Sequence, residues 1–191
     1  MKINEWQKYA YRDMDEACHT LPDTVLKDAK MMYRKFNEEK LTRGAVRLGI
    51  KANCVLYACR LAKHPRTTKE ISDMFGIQSK DVSRTTQIFK DTIMGITEKN
   101  YVTKAFDVMN RLLNSFEITR DERFQCNKLC NSTEDCVELM SKTPNSVASA
   151  IIFIILGSKV KKTELCEKCN ISVPTLNKIE NIIKKHLEAK S

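Results

Sequence analysis

The net positive charge of this 191-residue chain comes from two stretches that contain lysine and arginine but no aspartate or glutamate. The first stretch, between Glu39 and Glu70, holds eight basic residues: Lys40, Arg43, Arg47, Lys51, Arg60, Lys63, Arg66 and Lys69. The second, between Glu138 and Glu164, holds Lys142, Lys159, Lys161 and Lys162. Charge runs are usually solvated surface, but two such stretches in a chain of formal net charge +9 favour a polyanionic partner, because each phosphate that is neutralised releases counterions.

Cysteine is the other residue type with potential chemistry, at positions 18, 54, 59, 126, 130, 136, 166 and 169. The chain opens without the apolar run of a signal peptide, so we do not expect the disulfide framework of a small secreted protein. Cys166 and Cys169 have the spacing of a zinc ligand pair, but no second pair of that spacing accompanies them. A catalytic cysteine needs a histidine partner, and none of His19, His64 and His186 lies in a nucleophile motif. We interpret the cysteines as core thiols and expect neither a metal nor a cofactor.

Enzymes and membrane proteins are disfavoured by what the sequence lacks. There is no phosphate-binding glycine loop, paired metal motif or Ser/His/Asp arrangement, so we do not expect an enzyme. The longest apolar stretch, Val147 to Leu156, is far shorter than the roughly 18 residues of a membrane span. We therefore expect a soluble intracellular protein with no membrane partner.

The basic residues must be positioned by helices, since five glycines and four prolines are too few for a chain of many tight turns. Apolar residues recur at helical spacing in both halves of the chain. Predicted helix starts are marked by Pro22, by the capping boxes Thr67–Glu70 and Thr119–Glu122, and by Ser79 and Ser172. The expected fold class is therefore all-α.

Apolar positions also repeat at a separation of 94 residues, pairing Ile71 with Leu165, Ile77 with Ile171, Val82 with Leu176 and Ile88 with Ile182. This period predicts two tandem copies of a five-helix unit, residues 1–97 and 98–191. In each unit the strongly apolar third helix is expected to lie among the other four.

The last two helices of each unit have the proportions of a helix-turn-helix. In the first unit residues 73–79 form the predicted turn, and in the second residues 167–172 do so. One apolar triple is expected to hold each pair of helices together, Ile71, Ile77 and Val82 or Leu165, Ile171 and Leu176. Residues at the start of each second helix then face outward and can contact base edges or phosphates.

Two motifs of the first unit, CVLYACR at residues 54–60 and PRTTKEI at residues 65–71, resemble the core domain of transcription factor IIB and its archaeal counterparts. That family has the pattern LYxACR followed by PRTxKEI at the same spacing. In the second unit, residues 143–150 are similar to the family's SPxSVAAA helix start. The resemblance covers essentially the whole chain and implies two cyclin-like repeats.

The resemblance implies a general initiation factor that binds the complex of TATA-binding protein and promoter DNA, contacts DNA flanking TATA and helps recruit RNA polymerase. We expect a monomer located in the nucleus, or in a cytoplasmic viral factory if the protein is viral. The paired CxxC motifs of the family's zinc ribbon do not occur in these 191 residues. The divergence of the second repeat suits a viral or parasite member.

The resemblance also implies a set of DNA-binding residues. Arg43 and Gly44 match the loop that approaches the groove downstream of TATA, and Lys80 and Arg84 match a basic face that we assign to phosphates. The family reads an upstream element with a valine and an arginine, where this chain has Pro174 and Asn177. Two alternatives stay open for Asn177, pairing with adenine or simply belonging to a helix that holds the backbone. The predicted set is Arg43, Gly44, Lys51, Arg66, Lys69, Lys80, Arg84, Lys161, Lys162, Ser172, Pro174, Thr175, Asn177 and Lys178.

A cyclin-type adaptor that binds a protein partner such as a kinase is the main alternative function. It shares the repeated fold, but it predicts an exposed apolar patch and no concentrated basic face. The two acid-free stretches favour the promoter factor.

Overall fold

Helices account for the regular structure throughout the described part of the chain, residues 5–93 and 102–190 of a computed structural model, in which the side chains of residues 6–8 are not described. Neither described range contains a strand, and the predicted all-α class is confirmed. The chain divides into two compact units, residues 1–102 and residues 103–191.

The first unit is built around α3. Its described residues form α1 (Glu5–Ala17), α2 (Asp23–Glu39), α3 (Gly44–Leu61), α4 (Thr68–Met74) and α5 (Ser79–Thr92). Every residue of α3 from Gly49 to Cys59 is buried, and the helix packs against α2, α4 and α5. The predicted capping box starts α4, since Thr67 Oγ1 accepts a hydrogen bond from the Glu70 amide at 3.1 Å and a Glu70 carboxylate oxygen accepts one from the Thr67 amide at 2.7 Å.

The second unit is built around α9. Its described residues form α6 (Ala105–Leu113), α7 (Arg120–Ser132), α8 (Val137–Met140), α9 (Pro144–Leu156), α10 (Lys162–Cys169) and α11 (Val173–Lys190). The apolar α9 packs against α6, α7, α10 and α11. The predicted capping box at Thr119 and Glu122 starts α7. The single-turn helix α8 was not predicted, because four residues are too few to show a helical period.

All eight cysteines are buried free thiols, as their interpretation as core residues predicts. Burial raises the pKa of Cys18 to about 12 and that of Cys126 to about 11, because a thiolate loses its hydration inside the protein. Within the described ranges, no cluster of three or more histidine, cysteine, aspartate or glutamate side chains is arranged to hold a metal ion. None of the helices described above is long and apolar enough to cross a membrane.

Candidate nucleic-acid interface

A tight turn joins α4 to α5 in the first unit. Gly76 adopts the left-handed conformation with φ of 63°. The Ile77 amide donates to the Ser72 carbonyl at 3.0 Å, and the Gly76 amide donates to the Asp73 carbonyl at 3.2 Å. This pair of bonds is a Schellman motif, which satisfies the last carbonyls of α4. Glycine suits the position because it has no side chain to oppose a positive φ.

The same turn joins α10 to α11 in the second unit. Asn170, 94 residues after Gly76, is also left-handed, with φ of 53°. The Ile171 amide donates to the Cys166 carbonyl at 3.0 Å, and the Asn170 amide donates to the Glu167 carbonyl at 3.2 Å. The helix-turn-helix is therefore repeated down to its hydrogen bonds. Asn170 was not singled out from the sequence, although asparagine is the residue that most often replaces glycine at this position.

The predicted apolar triples hold both pairs of helices. Ile71 and Val82 are fully buried in the core of the first unit, and Ile77 packs against that core. Leu165 and Leu176 are fully buried in the second unit, with Ile171 packed against them. Because these side chains occupy one face of α5 and α11, the opposite face of each helix is left for solvent.

A buried polar cluster further fixes α5 against α3. Asn53 of α3 is fully buried, and its Nδ2 lies 2.9 Å from the Val82 carbonyl and 3.0 Å from Thr85 Oγ1, while its Oδ1 accepts a hydrogen bond from Thr86 Oγ1 at 3.0 Å. Gly49 makes the close approach possible, since a Cβ there would lie 2.6 Å from Thr85 Oγ1. Sequence reasoning missed Asn53, whose only signal is that it interrupts the apolar run from Ala52 to Ala58.

Lys80 and Arg84 are exposed on the first two turns of α5, four residues apart and hence on one face of the helix. Lys69 is exposed on α4, and Arg43 and Gly44 are exposed where α3 begins. None of these four cations forms an ion pair with another residue of the described ranges. We call Arg43, Lys69, Lys80 and Arg84 the basic set of the first unit.

Arg66 and Lys51 are placed differently from the basic set. Arg66 is half-buried, with a guanidinium nitrogen 3.5 Å from a Glu70 carboxylate oxygen. Lys51 is only 1% exposed, and its Nζ donates to Asp13 Oδ2 at 2.7 Å beneath the ring of Tyr33, whose centroid is 5.6 Å away. The expectation that Lys51 contacts DNA is therefore corrected. Its position on a helix that is buried on all sides turns its ammonium inward, where it links α3 to α1.

The predicted residues of the second unit lie at the start of α11. Ser172 caps this helix, with its Oγ accepting from the Thr175 amide at 3.3 Å and lying 2.8 Å from Thr175 Oγ1. Pro174, Asn177 and Lys178 are exposed. The hydroxyls of Ser172 and Thr175 are thus occupied by the cap, whereas the other three side chains face solvent.

Acidic side chains from elsewhere in the second unit pair with lysines of the second acid-free stretch. Lys159 pairs with Glu122 at 2.5 Å. Lys162 pairs with Glu180 at 3.1 Å, and its Nζ also donates to Asn177 Oδ1 at 2.8 Å. Lys161 is exposed and forms no ion pair with another described residue. The second unit therefore offers fewer uncompensated cations than its sequence indicates.

Comparisons with known proteins agree with this architecture. Residues 5–92 match the family model described as transcription factor TFIIB repeat. Transcription initiation factor IIB 1 of Thermoplasma volcanium is 25% identical over 194 residues, which cover 92% of this chain and 61% of that protein. Transcription initiation factor IIB of Pyrococcus abyssi is 25% identical over 169 residues, covering 86% and 56%. A putative transcription initiation factor IIB-like protein of Acanthamoeba polyphaga mimivirus is 26% identical over 180 residues, covering 83% and 39%. The predicted resemblance is confirmed, and the chain spans about three fifths or less of the length of these relatives.

Proposed function

We propose that this TFIIB-like chain acts in transcription initiation by binding the complex of promoter DNA and TATA-binding protein, contacting DNA beside TATA and helping to recruit RNA polymerase. The observation that carries the proposal is the duplicated helix-turn-helix, in which both units present the start of their second helix to solvent. The similarity to transcription initiation factors IIB of Thermoplasma volcanium and Pyrococcus abyssi supports this function.

In this function the basic set of the first unit supplies most of the electrostatic attraction to DNA. Lys80 and Arg84 lie one helical turn apart on the exposed face of α5, where both can contact phosphates of one strand. An exposed cation that forms no ion pair can bind phosphate without an internal pair first being broken.

The second unit has fewer free cations than the first, and fewer charged residues at the start of its second helix. At the two positions where the family has its valine and arginine, α11 has Pro174 and Asn177, so the arginine charge is absent. Lys178 follows directly. We assign base contacts to Asn177 and phosphate contacts to Lys161 and Lys178. This division predicts that the salt dependence of binding resides mainly in the first unit.

The proposal is tested by titrating a fluorescent TATA duplex with the protein in the presence and absence of TATA-binding protein from the same organism. Binding should occur only, or far more tightly, in the ternary mixture. If added TATA-binding protein makes no difference to the affinity, the promoter function is wrong and an adaptor for another protein becomes the better description.

Two matched double variants test the assignment of DNA contacts to the exposed face of α5. Lys80→Ala with Arg84→Ala should weaken ternary binding equally on all duplexes and reduce the slope of log affinity against log salt by about one to two units. Lys27→Ala with Lys35→Ala removes the same number of exposed charges from α2 and should leave the slope nearly unchanged. Equal losses in the two double variants would mean that net charge alone drives binding.

A further inference from the structure

The hydrogen bond between Lys162 and Asn177 determines which polar atom Asn177 presents to solvent. The two residues are 15 positions apart, on α10 and α11, and Lys162 Nζ lies 2.8 Å from Asn177 Oδ1. A lysine ammonium has three donors and no acceptor, so the atom facing it must be the amide oxygen. The Nδ2 group of Asn177 is therefore directed away from Lys162, at an exposed position on α11.

The Lys162 side chain is itself fixed by contacts with Glu180 and Phe153. The carboxylate of Glu180, only 8% exposed, accepts hydrogen bonds from Lys162 at 3.1 Å and from Lys184 at 2.7 Å. The hydrogen bonds from Lys184 and Lys162 lower the pKa of Glu180 in spite of its burial, so it is ionised at neutral pH. On its other side Lys162 lies over the ring of Phe153, 4.6 Å from the centroid. These contacts reduce the freedom of a side chain that is normally flexible.

We propose that Lys162 is a positioning residue which turns the Asn177 amide so that its NH2 group donates into the major groove and rejects cytosine at the facing base, a role that rests on the proposed function above. Guanine, adenine and thymine all present an acceptor in the major groove, the purines through N7 and thymine through O4. Cytosine presents an NH2 donor there, and two donors cannot form a hydrogen bond. Lys162 thus acts through Asn177 and not by contacting phosphate.

The first experiment measures ternary binding to a panel of duplexes in which each base pair beside TATA is varied through all four bases. The unsubstituted protein should disfavour cytosine at one position by about tenfold, the discrimination of one good base contact. Lys162→Met should reduce this preference to within about twofold, and Lys162→Arg, which keeps a donor, should restore it. Lys161→Met, the control, removes a neighbouring exposed lysine and should lower affinity equally for all four bases.

A substitution at Asn177 tests the same geometry without removing an ion pair from the buried Glu180 carboxylate. Asn177→Asp keeps an acceptor for Lys162 but replaces the outward donor with a second carboxylate oxygen. Because a carboxylate accepts from the cytosine NH2 group, this variant should invert the preference and favour cytosine at the same position. Asn177→Ala should leave no preference there.

A measurement on the free protein separates the positioning role from the DNA function. The side-chain amide resonances of Asn177 in a 15N correlation spectrum should shift in Lys162→Met and remain in place in Lys161→Met. If no variant binds any duplex with TATA-binding protein, the proposed function fails and the role of Lys162 fails with it. If the protein binds but Lys162→Met leaves the base profile or the Asn177 resonances unchanged, the role of Lys162 alone is refuted.

Discussion

Replacing Asn53 with alanine should destabilise the first unit and displace α5, because Asn53 is the buried polar link between α3 and α5. Its side chain bonds to the Val82 carbonyl and to the hydroxyls of Thr85 and Thr86. The two hydroxyls keep their own bonds to the backbone of Val82 in the variant, so they are not left without a partner. The cost therefore comes from the lost inter-helix bonds and the lost packing, and not from a stranded donor.

The magnitude follows from these contacts. The NH2 group of Asn53 has two hydrogens for three acceptors, one of them the Gly49 carbonyl of its own helix, so we count one inter-helix bond from this group and one to Oδ1, at about 1 kcal/mol each. With about 1 kcal/mol for the buried volume that alanine leaves empty, the loss in the free energy of unfolding is about 3 kcal/mol. For a unit of this size that loss corresponds to a fall in Tm of about 10–20 °C. Because α5 carries Lys80 and Arg84, ternary binding should weaken as well.

Urea unfolding followed by far-UV circular dichroism measures the loss. Asn37→Ala is the matched control, since Asn37 is half-buried and donates to the Tyr33 carbonyl within its own helix at 3.0 Å. It should cost less than about 1 kcal/mol. A double-mutant cycle with Thr86→Val should give a coupling energy of about 1 kcal/mol with Asn53. An effect of Asn53→Ala no larger than that of the control, or a coupling near zero, would refute the role of the cluster.

Three further predictions concern charge and backbone. Asp13→Ala should destabilise the protein by about 2–4 kcal/mol in urea unfolding, since it leaves the buried Lys51 unpaired, whereas Lys51→Met should cost less because Asp13 is half-exposed; the reverse order would contradict the buried-charge argument. The pKa of Glu122 is lowered from 4.5 to about 2, first by its hydrogen bond from Lys159, so its stabilisation is complete above pH 4.5 and is lost as the pH falls towards 2. Tm measured against pH should therefore fall less steeply over that interval in Glu122→Gln, and parallel curves would count against it. Gly76→Ala should cost about 1–2 kcal/mol in thermal unfolding, because its φ is 63° and no atom lies within 4 Å to clash with the new methyl group; an unchanged Tm would mean that the turn adapts freely.

The two units differ in how many of their basic residues are paired with acidic side chains, although the sequence gives each unit an acid-free stretch. In the first, none of Arg43, Lys69, Lys80 and Arg84 forms an ion pair with another described residue. In the second, Glu122 and Glu180 neutralise two of the four lysines of the acid-free stretch. An acid-free stretch is a property of the chain order, whereas the field at a surface depends on every charge that folding brings near it.

Local physics made much of the fold predictable. Helix periodicity and the capping boxes at Thr67 and Thr119 depend on residues three or four positions apart, and both boxes form as expected. The period of 94 residues predicted a repeated turn, and the hydrogen bonds after α4 and α10 repeat at that separation. The resemblance of CVLYACR and PRTTKEI to transcription factor IIB was likewise readable from the residues alone.

The amino-acid sequence by itself determined the helices, their repetition and the basic character of this protein, because each depends on short-range order or on composition. Only the tertiary structure decided which lysines are free. Lys51 finds Asp13 at a separation of 38 residues, and Lys162 finds Glu180 at a separation of 18. Such pairs form where helices cross, and the crossing is set by the packing of whole apolar faces. For this reason no local pattern distinguishes a lysine that can meet a phosphate from one that is already neutralised inside its own unit.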